Sequence, residues 1–494
     1  MAQAIYMNVQ QKPYKLTPTY TVYKSGSTYY AMDEDGTVTT NANFSTLING
    51  LFADNTSFYV KRGSYTVTSS VYINAFDNVN IVLDNAAVLT LGNAVNTPMI
   101  FFNACDNCTI SGGKLSGNKA NQTLLGAYGA QGLLFYQCTN CDASNMWIDD
   151  VRVFGFITWG TGTINCGIRN SKSTNCGWNA IQLGDPAAAT ETACYALNNE
   201  ASNCSDVGIA CIGGKGHMVR GNYVHDMDGN TGFSDAKWGI AVELTGHCTI
   251  TENMIYNCEQ GIETTSGADF NTISNNYIDY VKVVGIVVNS DDNVIMGNRI
   301  TRWDYENTVK IAIDLHGNNN LAMGNTLVGT VTNTKGIRAY DGVYNKIIGN
   351  DVQCQFNGIE AEQNADGTII QGNSVIGTGT FGIKVVATAD NVLVLGNNTM
   401  GISAGAGITT AASNTVIKDN KGYTSENSGS STGNGSQQTI AHGCGFTPTY
   451  DQVFLSERST GLAIPYQSAA PDATNIYVTA VNAKTYNWRV SYSA

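Results

Sequence analysis

The sequence predicts an all-β fold, a single-stranded right-handed parallel β-helix with three short strands per coil, and three observations carry that expectation. From Asn222 to Asn420 the chain repeats every 22 to 31 residues. An Asn-x-apolar step recurs at Asn222, Asn253, Asn276, Asn298, Asn325, Asn350, Asn373 and Asn398, and a Gly-Ile step keeps pace with it at Ile209, Ile240, Ile262, Ile286, Ile337, Ile359, Ile383 and Ile408. Within each repeat, three β-rich runs broken by Gly, Asn and Asp carry no helical apolar spacing. A period in this range marks stacked supersecondary units, each burying its apolar side against the next.

The elements follow in order. Residues 1–55 read as an N-terminal cap: short alternating runs at Thr21–Tyr23, Ser27–Ala31 and Thr37–Thr40, then a helix. Phe44, Leu47, Ile48 and Leu51 fall at helical spacing after an Asn43 cap, and such a helix can plug the open end of a solenoid. Coils are expected over 56–424. Residues 425–436 are rich in Ser, Gly and Asn and read as a linker. Residues 437–494 alternate apolar and polar positions and predict a small antiparallel β module, one able to join three chains into a homotrimer.

Composition narrows the partners. Only 13% of the 494 residues are charged while 55 are Asn and 53 are Gly, so amides and hydroxyls carry the polar surface. A net charge of −13 repels nucleic acid and acidic lipid, which leaves neutral or cationic glycans. No apolar run reaches the roughly 18 residues of a membrane span, so no membrane insertion is expected. The start, Met1 to Asn8, lacks the basic and apolar regions of a signal peptide. Thirteen cysteines are an odd number. Cys108, Cys141, Cys166, Cys194 and Cys248 hold the coil position that Asn271, Asn293, Asn345, Asn391 and Asn414 hold later, and Cys176, Cys204, Cys258 and Cys354 form a second column. Ladders of buried free thiols are therefore expected over a zinc or disulfide reading of Cys105-x-x-Cys108 and Cys138-x-x-Cys141. That implies synthesis in a reducing cytoplasm. No metal and no cofactor is expected; Asp226-x-Asp228-Gly229-Asn230 lacks the distal Glu of a calcium loop.

The leader Tyr23–Ala31, the helix, the step Val60-Lys61-Arg62-Gly63-Ser64-Tyr65 and the repeated coils resemble the pectate-lyase-like right-handed β-helix proteins of archaea and tailed viruses. The tail from Gln438 to Thr449 resembles the β modules that end many such surface proteins. The resemblance implies a superfamily of polysaccharide lyases, glycosidases, C5-epimerases and viral tailspikes. The chain lacks the Asp-Pro-His-Glu motif of mannuronan epimerases and a clear calcium and arginine set of pectate lyases, which counts against those two activities.

Coils stack about 4.8 Å apart, so equivalent outward residues form columns. In the strand that starts at Gly-Ile, one outward column reads Ala241, Glu263, Val287, Asp314, Arg338, Glu360, Lys384, and the next reads Glu243, Thr265, Asn289, His316, Tyr340, Glu362, Val386. Asp314, His316, Arg338, Glu360 and Glu362 thus form one candidate catalytic patch; Glu243 and Glu263 form a second, with Cβ atoms about 8 Å apart. Acids beside a base, a cation and an aromatic are the parts of a sugar-cleaving site. The competing reading of the first patch is an ion-pair ladder of alternating charge. Two long coils add Trp238, Trp303 and Tyr305, which with Tyr340 are the candidate sugar-binding aromatics. Three functions compete: a virion spike for host attachment, whose contact with cell-surface glycans is either simple binding or depolymerisation; a secreted polysaccharide hydrolase or lyase; and a structural surface-layer or appendage subunit. The first places the protein on a virion or extracellular surface.

Overall fold

The computed structural model describes residues 17–123, 129–187, 190–227, 236–303, 310–330, 333–377, 379–402, 406–412, 414–423, 426–444, 447–457, 465–480 and 484–491. They form a parallel β-solenoid of about 13 turns with small antiparallel sheets at its C-terminal end. Each coil contributes three strands. The front wall has 14 strands, all parallel, from Val71–Asn74 to Ala406–Thr410. The second and third walls merge with the N-terminal strands into one 30-stranded sheet. Among the described residues no helix is long and apolar enough to cross a membrane.

The leader closes the first end. Strands Tyr20–Ser25 and Thr28–Asp33 pair antiparallel, and the first also pairs in parallel with Ser57–Val60, joining the leader to the first coil. The helix spans Phe44–Asn49, and the Asn43 side chain accepts from the Thr46 N–H at 3.0 Å. Phe44, Leu47 and Ile48 are buried, with the Phe44 ring 5.0 Å from that of Tyr65. This covers apolar surface that a terminal coil would expose.

The Gly-Ile step has a steric cause. Ile240, Ile262, Ile286, Ile337, Ile359 and Ile383 all point inward and are completely buried. The glycine before each faces the third wall: a Cβ on Gly358 would lie 2.1 Å from Val375 Cγ1. No side chain fits there.

The Asn-x-apolar step is an asparagine ladder at the corner between the second and third walls. Asn253 shows the pattern. Its backbone N–H and its side-chain amide both donate to Asn276 Oδ1 at 3.0 Å, and the amide also donates to Val219 O at 3.0 Å. Asn supplies donor and acceptor on one short side chain, which Asp cannot do. The ladder runs through Asn199, Asn222, Asn253, Asn276, Asn298, Asn325, Asn350, Asn373, Asn397 and Asn420. Asn397, not Asn398, is thus the ladder member. The register shifts between Ser374 and Ile376, and Asn398 pairs with Ser374 as the first strand residue.

All thirteen cysteines are buried free thiols. The first column continues from Cys194 to His217 and Cys248, then to Asn271, Asn293, Asn320 and Asn345. His217 Nδ1 accepts from the Cys194 N–H at 3.2 Å, and burial lowers its pKa to about 4, so the ring is neutral. Asn391 and Asn414 are not in this column. They take left-handed turns, with φ of 56° and 57°, one residue before it, at a place where Asn is tolerated.

The C-terminal strands form two three-stranded antiparallel sheets around Ile476, Val478, Tyr486, Trp488 and Val490. Residues 426–432, expected as linker, are a strand: Glu426–Thr432 pairs along its length with Thr485–Ser491. Its glycine is what admits it to the sheet. A Cβ on Gly429 would lie 2.7 Å from the Trp488 indole.

Candidate functional site

The outer face of the front wall brings together both acid clusters. Register pairs Ala241 with Glu263, Glu263 with Val287, Val287 with Asp314, Asp314 with Arg338, Arg338 with Glu360 and Glu360 with Lys384, as strand alternation requires.

The larger patch is a closed ion-pair network. Arg338 grips Asp314 through two hydrogen bonds of 2.8 and 2.6 Å and reaches Glu362 at 3.6 Å. Lys335 pairs with Glu360 and, at 3.1 Å, with Glu362, while Lys384 lies 3.3 Å from Glu360. The Asn357 amide donates to Glu360 as well. His316 Nε2 is 3.0 Å from Asp314, and the Arg338 guanidinium lies 4.4 Å from the Tyr340 ring centroid. Burial would raise the pKa of Asp314, but the hydrogen bonds of His316 and Arg338 hold it below the usual carboxylate range. Every acid here has a cation, and Glu360 is completely buried.

The Glu243–Glu263 cluster is built differently. Burial and the charge of Asp206 raise the pKa of Glu243. Burial, then the charge of Glu243, raise that of Glu263 to about 7, against the lowering effect of Asn289 and His316. Asn289 donates to Glu263 Oε1 at 3.2 Å. With its amide oriented to satisfy its neighbours, Gln260 donates to Glu263 Oε2 at 2.8 Å and accepts from Trp238 Nε1 at 3.3 Å. Trp238 packs half-buried on Val207, Ala210 and Ala241. Two acids therefore act on one another with no lysine or arginine bound to either among the described residues. One of them holds its proton near neutrality.

The predicted aromatics divide. Trp238 lies at the acid pair, and Tyr340 belongs to the network, its hydroxyl 2.6 Å from Gln363 Nε2. Trp303 is not a sugar platform. It is completely buried beneath Gly329 and donates to Lys335 O at 3.1 Å, so its ring fills the core. Tyr305 lies outside the described residues. Sequence reasoning missed Gln260 and Lys335. Each lies three residues before a member of the outward column, Glu263 or Arg338, so period-two alternation turns it inward; the intervening glycine interrupts the ladder register and sets it on the acids' side instead.

The model of the family described as right handed beta helix region matches residues 154–327 and 239–399. Coil topology and this match together place the chain in the right-handed parallel β-helix superfamily. Similar solved structures include the Dettilon tailspike protein (TM-score 0.45, 14% identity, covering 94% of this chain and 93% of that one). Tailspike protein 3 of bacteriophage CBA120 gives a TM-score of 0.46 at 11% identity over 77% of this chain and 59% of that one. The A-module of a mannuronan C-5 epimerase of Azotobacter vinelandii gives 0.39 at 14% identity over 73% and 90%. At such identities these are likenesses of fold. No curated protein sequence matches the chain significantly.

Proposed function

We propose that this protein is a surface-displayed, tailspike-like β-helix that binds a cell-surface polysaccharide on its front wall and hydrolyses it. Glu263 is the general acid and Glu243 the general base. The observation that supports this is the environment of the pair: adjoining carboxyls, one held to about 7 by burial and by its neighbour, beside the half-buried Trp238. Sites that cleave glycosidic bonds need one protonated and one ionised carboxyl at the same pH. Diagonal neighbours on a sheet stand about 7–8 Å apart, within the span of about 6.5–9.5 Å that leaves room for water and inverts the anomeric centre. In this reading the Asp314–Glu360 network is the rigid rim of the site. Its acids are already ion-paired with Arg338, Lys335 and Lys384, which gives them a structural role.

The test is sugar release from soluble polysaccharides by Glu263→Gln and Glu243→Gln. Each should lower the rate at least about 100-fold with the melting temperature unchanged, and the wild-type rate should fall as pH rises past about 7 with loss of the Glu263 proton. Full activity in Glu263→Gln refutes the assignment. A free secreted hydrolase would use the same pair; the assembly state separates it from a spike.

A further inference from the structure

Away from the front wall, a groove of about 650 Å³ runs along the corner between the second and third walls in the N-terminal half of the solenoid. It extends over six coils, from the bulge in strand Asn80–Leu91 at Asn85 to Tyr223. We infer that this groove is a second, non-catalytic site that holds a linear neutral oligosaccharide parallel to the solenoid axis.

Four observations carry it. First, the amides of Asn85, Asn145, Asn170 and Asn198 line the groove, all four residues exposed. None of these amides bonds to another described residue, whereas Asn140, Asn165, Asn175 and Asn203 on neighbouring corners bond to one another or to acids. Left-handed backbone explains Asn at positions 145, 170 and 198, but Asn85 has no such need; beyond the groove the same turn is held by Glu252, Asn275, Gly297, Gly324 and Gly349. Second, the row repeats with the coil rise of about 4.8 Å, close to the length of one pyranose in an extended chain. Third, two aromatics stand in the groove. Trp147 is 42% exposed and pinned by its Nε1 donating to Thr174 Oγ1 at 3.1 Å; Tyr223 is 37% exposed and stacks on His225 at 4.1 Å. Register places them three coils apart through Lys172 and Glu200, or about 14 Å. Fourth, the charges are internally matched: Lys172 meets Glu200 at 2.6 Å and Lys114 meets Asp149 at 2.8 Å.

That composition selects the occupant. Matched charges give no pull on a polyanion. The strands flanking the groove are hydrogen-bonded on both sides, so an extended peptide finds no edge to join. What remains is a ligand rich in hydroxyls with C–H faces for rings, which amides and aromatics recognise together. The site is independent of the front-wall reading.

Binding would be measured by calorimetry on the full chain carrying Glu263→Gln, so that nothing is cleaved, with cello-, malto-, laminari-, xylo- and mannohexaose as probes. At least one should bind. Trp147→Ala and Tyr223→Ala should each weaken it about tenfold or more, Trp147→Phe and Tyr223→Phe should retain most of it, and circular dichroism should show all four folded. Binding by none of the hexaoses overturns the inference. So does binding that both alanine variants leave unchanged, which would assign it to another surface.

Discussion

At the scale of single residues, the asparagine ladder turns one small side chain into a structural requirement. Removing Asn276 leaves the Asn253 N–H and its amide without their acceptor inside a buried corner, and deprives Ile250 O of a donor. Each buried group left unpaired costs about 1–3 kcal/mol, so Asn276→Ala should destabilise by about 3 kcal/mol or more in denaturant unfolding. A one-residue error of register is easy to make from sequence near the end of the ladder, because Asn397 and Asn398 adjoin and the apolar Met400 points to Asn398, whereas the inward position two residues after Asn397 is held by the buried Thr399. Asn391 and Asn414 mislead for a related reason. The turn residue before the Cys248–Asn345 column and the column residue itself both accept Asn, one for its backbone freedom and one for its amide. The inward isoleucines left no such choice, since burial permits one orientation only.

At the scale of the element, the front wall shows two uses of acidic residues on one surface. The columns were legible, because a parallel strand cannot slip by one residue without turning its isoleucine outward. Which acids are free was not legible. Lys335, three residues before the column member Arg338 and across a glycine from it, neutralises two of them. Trp303 was legible as an aromatic on a long coil but not as a core residue, because its burial depends on Gly329, distant in sequence. Glu360→Gln should therefore destabilise the wall by about 3 kcal/mol, the cost of leaving Lys335 and Lys384 short of a partner. It should leave sugar release by the Glu243–Glu263 pair within a few fold. A loss of activity without loss of stability would return the chemistry to the network.

At the scale of the whole molecule, the rod and its C-terminal module bear on assembly. As a spike the chain should be a trimer by light scattering, and deleting residues 437–494 should give folded monomers; a monomer before and after truncation would favour the free secreted enzyme. That deletion also strips Glu426–Thr432 of its partner strand Thr485–Ser491, so a cut before Glu426 is the cleaner variant. The ladder carries one further consequence, in time. Each of its asparagines donates toward the C-terminal side, Asn222 to Asn253, Asn253 to Asn276, and so on to Asn420. A coil emerging from the ribosome is thus short of acceptors until its successor has been made, about one to six seconds later at 5–20 residues per second. The nascent solenoid is always one coil behind its own synthesis, with its growing tip unsatisfied and its finished coils sealed behind it.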